Sequence, residues 1–302
     1  MTDTSQATMR VQRVSLVLIL AALAAAPSIG CGRSPSLPPL AEGPDAVRIP
    51  GKFVWHNLVT SDGEAARAFY GALFGWQFEV VADGKYTIIT YQNRNLGGII
   101  DASKDGKPLR AGRWLSAVSV PDLDRTTVAI EEAGGKQLEA PIDVPGVGRV
   151  VTVRDADGAV FHLLASSRGD PPDRDPDVHT WLWHELIAND PKRAVAFYQR
   201  VFAYRVKHLR NHPSAPYRVL WSSGGPRAGV VQNPFDTTRS AWIPYVRVDD
   251  PGALAARVTE LGGLVVVEPR ADLRNGTLAL VLDPSGAPLA LQKWSRDMEF
   301  EP

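Results

Sequence analysis

Six histidines, one cysteine and eight tryptophans are the residues of this chain whose spacing could support chemistry. His56 and His184 stand in matched contexts, Trp55-His-Asn57 and Trp183-His-Glu185. A matched pair of imidazoles invites a metal or proton-transfer reading. Side chains along an extended strand alternate between faces, however, so both histidines should point away from the tryptophans, toward the packed side of a sheet, as satisfied core residues. The same alternation places Asn57 beside Trp55 and Glu185 beside Trp183. His179, His208 and His212 fall near a linker or in polar stretches and carry no role. Asp155-Ala-Asp-Gly158 and Asp283-Pro-Ser-Gly286 resemble calcium loops faintly, but they lack the spaced carboxylates and terminal Glu of such a loop and read as turns. There is no phosphate-binding loop, dinucleotide fingerprint, nucleophile elbow or His-Glu-x-x-His motif.

The elements that must position these residues come from an internal repeat. Phe53 to Tyr70 aligns without a gap on Trp181 to Tyr198, pairing Trp55 with Trp183 and Asp62 with Asp190. Further on, Trp114 pairs with Trp242, Gly134-Gly135 with Gly262-Gly263, and Asp155 with Asp283, always at a separation of 128. Such a register marks one folding unit used twice. Within a copy, residues 53–60 read as a strand, and Asp62 caps a helix over 64–74 in which Ala65, Ala66, Phe69, Tyr70 and Leu73 recur at helical spacing. Strands follow at 76–81, 86–92 and 96–100. The β-α-β-β-β order then recurs: strand 114–120, a helix from Asp122 to Gly134-Gly135, and strands near 136–143, 148–154 and 160–165. A Pro-rich charged linker, residues 168–177, separates domain 51–167 from domain 178–302.

Lys+Arg and Asp+Glu are equal at 33 each with no long run of either sign, so nothing marks a nucleic-acid-binding surface; a small molecule is the expected partner. Residues 1–30 read as a signal peptide, with Arg10 and Arg13 before an apolar stretch from Val14 to Ala26 that is short for a membrane span. Ser28-Ile29-Gly30-Cys31 resembles a bacterial lipobox, departing from it at Ser28. The expectation is lipidation at Cys31, the chain's only cysteine, and anchorage to a membrane on the extracytoplasmic side. Residues 31–50, rich in proline, read as a tether.

Asp62, Ala66, Phe69, Tyr70, Phe74 and Gly75 with Asp155, Asp157 and Gly158, and in the second copy Asp190, Ala194, Phe197, Tyr198 and Phe202 with Asp283 and Gly286, resemble the vicinal oxygen chelate superfamily, which includes glyoxalase I, bleomycin-resistance proteins and extradiol dioxygenases. The resemblance implies an α+β fold in which the two modules of each copy curl their sheet into a half-open cup. It also implies metal ligands at three cup-facing positions. Those positions hold Trp55, Leu115 and His162 in the first copy and Trp183, Ile243 and Ala290 in the second, so one side chain of six is a ligand type and the usual triad is missing. No cofactor is expected, although an unusual divalent-metal site could be assembled from Glu185 with Gln292, or Asn57 with His162.

Trp55, Trp114, Trp183 and Trp242 open equivalent strands and are expected to line the cups, either as core filling or as stacking surfaces for a flat ligand. Gly97-Gly98 marks a bulge or a close approach of sheet or ligand. The functional expectation is a lipid-anchored, glyoxalase-like binder of a small molecule. Two alternatives stand beside it: a metal-dependent lyase or dioxygenase with a non-standard site, and a structural module whose cups are filled by their own side chains. Because the tandem copies can pair internally, a monomer is expected.

Overall fold

The computed structural model describes residues 37–41, 46–106, 109–209, 217–222, 224–235 and 239–294. The signal segment, Cys31, His212 and part of the tether lie outside the described residues. No described helix is long and apolar enough to cross a membrane.

The first copy runs β1 (Phe53–Thr60), α1 (Gly63–Phe74), β2 (Gln77–Val81), β3 (Tyr86–Tyr91), β4 (Arg94–Asp101), then β5 (Arg113–Ser119), α2 (Leu123–Glu132), β6 (Lys136–Gln137), β7 (Ile142–Val144), β8 (Gly148–Arg154) and β9 (Val160–Ser166). The second runs β10 (Trp181–Ala188), α3 (Pro191–Phe202), β11 (Arg205–His208), β12 (Arg218–Ser222), β13 (Gly225–Gln232), β14 (Ala241–Arg247), α4 (Pro251–Glu260), β15 (Leu264–Val267), β16 (Leu278–Leu282) and β17 (Pro288–Gln292). Each copy makes its own sheet, in the orders β2-β3-β4-β1-β5-β9-β8-β6 and β11-β12-β13-β10-β14-β17-β16-β15. The opening strands of the two modules lie side by side and antiparallel at the centre of each sheet, β1 on β5 and β10 on β14.

Local chemistry explains the elements. Asp62, Asp122, Asp190 and Asp250 each accept a backbone N–H of the first helical turn, which caps the four described α-helices at about 1 kcal/mol apiece. The strand expected over 136–143 is instead two short pieces, β6 and β7, both paired with β8. Pro141 lies in the gap between them and has no N–H to give to a ladder. Gly98 is required by a close approach: a Cβ there would sit 2.0 Å from the Tyr86 hydroxyl, and Gly229 bears the same relation to Tyr217. The Gly97-Gly98 expectation is therefore met by a tyrosine of the neighbouring strand.

The convex faces of the two sheets, with their helices, pack on each other. One apolar cluster joins Phe53, Val118 and Ile130 of the first copy to Leu186, Phe197 and Trp242 of the second, and another joins Leu58 and Phe69 to Val246 and Val258. Polar groups lock this interface in mirrored chains. The Trp114 indole N–H donates to the Tyr70 hydroxyl (3.0 Å), which donates to Asp283 of the other copy (2.9 Å). Trp242 donates to Tyr198 (2.8 Å), which donates to Asp155 (2.9 Å). The two Asp residues also accept backbone N–H groups of their own turns, in keeping with the turn reading. At the centre His56 and His184 meet, Nε2 to Nε2 at 2.7 Å, so one neutral ring must donate to the other.

Candidate functional site

Strand parity sorts the expected site residues between two faces. Trp55, Asn57, Leu115 and His162 face the first cup, and Trp183, Glu185, Ile243, Ala290 and Gln292 face the second. Trp114 and Trp242, expected in the cups, lie on the opposite face within the interface just described. Each is a single residue out of phase with its cup-facing neighbour, Leu115 or Ile243, and a shift of one along a strand reverses the side.

Both cups are built around the same trio. In the first, the Trp55 indole N–H donates to the Tyr86 hydroxyl (3.0 Å) and lies 3.2 Å from Asn57 Oδ1, which also accepts from Tyr86 (2.9 Å). In the second, Trp183 donates to Tyr217 (2.9 Å), which donates to Glu185 Oε2 (3.0 Å). Tyr86 and Tyr217, pinned over Gly98 and Gly229, were not singled out from sequence. The signal was there: each tyrosine stands at or just before a strand facing the glycine beside the polar residue, but they are 131 apart rather than 128.

The surroundings of the trio differ. In the first cup Trp55, Asn57, Tyr86, Leu115 and His162 are all buried. Leu37, from the expected tether, is also buried there, in one cluster with Trp55, Tyr86, Val144 and Val147. Its carbonyl oxygen comes so close to Gly146 that a Cβ would lie 2.2 Å away. His162 Nδ1 lies 3.2 Å from the Thr152 hydroxyl, which reaches Glu139, while Nε2 is buried without a partner. Burial holds the imidazole neutral, with its pKa lowered to about 4. Asn57 and His162 are not brought together; Leu115 and Ala117 of β5 lie between their strands.

In the second cup the place of Gly146 in the repeat is taken by Arg274. Its guanidinium bonds Glu185 and donates to Gln292 Oε1 (3.1 Å), and it lies 5.3 Å from the Tyr217 ring centroid and 5.4 Å from that of Tyr245. Glu185 and Gln292, paired in sequence as candidates for a metal site, are joined through an arginine. Burial works against the charge on Arg274, yet Glu185 and the two tyrosines outweigh it and raise its pKa further. Burial, and then Glu185, pushes the Tyr245 hydroxyl well above the ordinary tyrosine range. Gln292 is fixed from its other side by donating to the Thr277 and Lys293 carbonyls (both 2.9 Å). This cup remains open: a cavity of about 670 Å3 is lined by Glu185, Arg274 and Tyr245, by aliphatics such as Ile187, Ile243 and Leu280, and by Asp190, Lys192 and Arg218 among further polar residues.

The donor set does not suit a divalent cation. A catalytic site of that kind needs about three protein ligands around an open position. Here the first cup offers one imidazole and, two strands away, an amide oxygen already used twice, and in the second a guanidinium occupies the carboxylate a cation would need. Among the described residues no three His, Cys, Asp or Glu side chains converge.

A family model described as bleomycin resistance protein-like N-terminal matches residues 52–91, and one described as a glyoxalase-like domain matches residues 183–292. A glyoxalase-like model over most of the second copy and a bleomycin resistance protein-like model over part of the first agree with the vicinal oxygen chelate resemblance of the sequence, and the two tandem α+β domains with its fold. Among superfamily relatives, the protein CFP32 of Mycobacterium tuberculosis, which bears a glyoxylase name, is 28% identical over 79% of this chain and 93% of its own length. The anthracycline biosynthesis protein DauV of Streptomyces sp. strain C5 is 28% identical over 79% of this chain and 91% of its own. The fold is shared with the Mn(II)-bound glyoxalase from Novosphingobium aromaticivorans (TM-score 0.56, 17% identity, 83% of each chain covered). It is also shared with the 2,3-dioxygenase LapB from Pseudomonas sp. KL28 (TM-score 0.53, 12% identity, 86% and 96% covered).

Proposed function

We propose that the protein is a lipid-anchored, extracytoplasmic binder of a small, largely apolar molecule, and that the second cup is its working site. The observation that carries this reading is the buried Glu185–Arg274 pair standing in the wall of an open cavity, beside aliphatic and aromatic side chains and apart from the helix-start and strand-end polar residues Asn189, Asp190, Lys192, Arg218 and Gln232 that also line it. A buried ion pair is a poor source of stability compared with apolar packing. Placed beside a cavity within the usual size range for small-molecule pockets, it supplies a fixed donor and a fixed acceptor that orient a hydroxyl or carbonyl of a bound molecule. The first copy, with its cup closed by Leu37 and the Trp55–Tyr86–Asn57 trio, serves as a structural domain that completes the buried interface.

The likeness to DauV, named for anthracycline biosynthesis, supports a flat polycyclic ligand. A neutral anthracycline aglycone titrated into the full chain, followed by its fluorescence anisotropy, tests this. Saturable binding that is lost in Leu280→Trp, which fills the second cup, is expected. Absence of binding, or equal binding by that variant, overturns the reading. The tandem pairing supports a monomer. For the anchor, labelling with a palmitate analogue should mark the wild type and not Cys31→Ala; equal labelling of both would exclude lipidation at that residue.

A further inference from the structure

We propose that the cleft between the two copies, beneath the linker, is a second binding site, separate from the second cup, and that it takes a small aromatic anion. The cleft holds a cavity of about 1020 Å3. Its walls carry the rings of Phe53, Trp181, Trp183, Tyr217, Tyr245 and Trp294, while linker residues 171–176 run along it. Trp183, Tyr217, Tyr245, Arg274 and Gln292, which frame the second cup, form the partition between the two cavities.

The charge along this cleft is unbalanced. Arg94 is matched by Asp177 and Arg274 by Glu185. Lys52 and Arg227, in contrast, share the one carboxylate of Asp173. The Asp173 carboxylate accepts both Nη atoms of Arg227 (2.8 and 2.9 Å) and lies 2.9 Å from Lys52 Nζ, so a single negative charge serves two cations. Neither cation escapes to water: Arg227 is 7% exposed and the Lys52 side chain 14%. Asp170, whose Oδ2 is committed to the Ile49 N–H and the Ser119 hydroxyl, attracts Lys52 only weakly. Burial lowers the Lys52 pKa despite these carboxylates. A buried cation without a full counter-charge is unfavourable, and an anion entering the cleft would relieve it. The aromatic walls would at the same time grip a flat ring. Anionic head and aromatic body together define the ligand class.

The test uses a pair of fluorescent probes that differ by one charge, 1-anilinonaphthalene-8-sulfonate and its neutral parent N-phenyl-1-naphthylamine, titrated into the full chain. The sulfonate should bind saturably at one site. Lys52→Met should weaken it at least tenfold and leave the neutral probe within about twofold, whereas Asp173→Asn, which removes the competing carboxylate, should tighten it. Leu280→Trp, blocking the neighbouring cup, should leave sulfonate binding unchanged. Should Lys52→Met fail to fold, Asp173→Asn decides alone: unchanged or weaker sulfonate binding overturns the proposal. So does a sulfonate affinity indifferent to Lys52→Met, or one abolished by Leu280→Trp, which would place the probe in the cup.

Discussion

In the first cup the Tyr86 hydroxyl bridges Trp55 and the neutral amide of Asn57, and the charged groups on that face, Arg113 and the Glu139 that ends the chain from His162 through Thr152, do not bond the trio. In the second, Tyr217 bridges Trp183 and the carboxylate of Glu185, and that charge brings in Arg274 and then Gln292. One substitution between the copies, Asn57 against Glu185, thus coincides with a second, Gly146 against Arg274, and with opposite outcomes for the space above. Glycine at 146 lets Leu37 come down onto the first cup; arginine at 274 holds the second one polar and open. A duplicated fold can keep its hydrogen-bonded frame and still divide its copies into a packed domain and a binding domain.

The strongest way to break the contrast is to give the second cup the residues of the first. Glu185→Asn leaves Arg274 without its carboxylate and should destabilise the chain by about 3–5 kcal/mol, the usual loss when one member of a buried pair is removed. Adding Arg274→Gly should restore most of that, and also suits the positive φ of 48° at this residue. Urea unfolding of the wild type, the single and the double variant measures both effects; a double variant no more stable than the single would show that the two differences are not coupled.

The interface should behave in the opposite, symmetric manner. Tyr70→Phe strips Asp283 of a donor and Trp114 of an acceptor, and should cost about 2–3 kcal/mol by the magnitude of hydrogen bonds to charged groups. Tyr198→Phe, acting on Asp155 and Trp242, should cost the same within about 1 kcal/mol. A large difference in the denaturation midpoints of the two would mean that the mirrored chains are unequal in energy.

Acid sensitivity gives the most specific contrast, and near neutral pH the smallest. His56, at about 3, His184, well below its ordinary value, and His162, at about 4, are all kept neutral by burial. Unfolded, they take up protons below about pH 6.5. The folded state does not, so stability is fully present above that pH and falls as acid is added, by up to about 1.4 kcal/mol per pH unit for each histidine. His162→Phe should remove one such contribution between about pH 6.5 and 4 and flatten the profile. The second cup, with Ala290 in that place, should show no counterpart in Ala290→Val. A stability profile unchanged by His162→Phe would mean that the imidazole is protonated in the folded chain.

Much of this was legible in the residues themselves. Duplication at constant register, Asp caps, helical and alternating periodicities and the turn motifs are local properties, each decided by a few neighbouring residues, and they defined the module order and the faces of His56, Asn57, His184 and Glu185. The phase of Trp114 and Trp242 was lost because strand ends are poorly marked in sequence and one residue reverses a side chain. The partners of Glu185 could not be read at all: Arg274 and Tyr217 are remote in the chain, and the copy they might have been compared with holds Gly146 and an offset Tyr86. Sequence alone thus determined which elements form and that they form twice. Only the tertiary structure decided that two histidines 128 residues apart share a hydrogen bond, that Leu37 covers one cup, and that a guanidinium holds the other, because those outcomes depend on distances that folding sets between segments with no local bearing on one another.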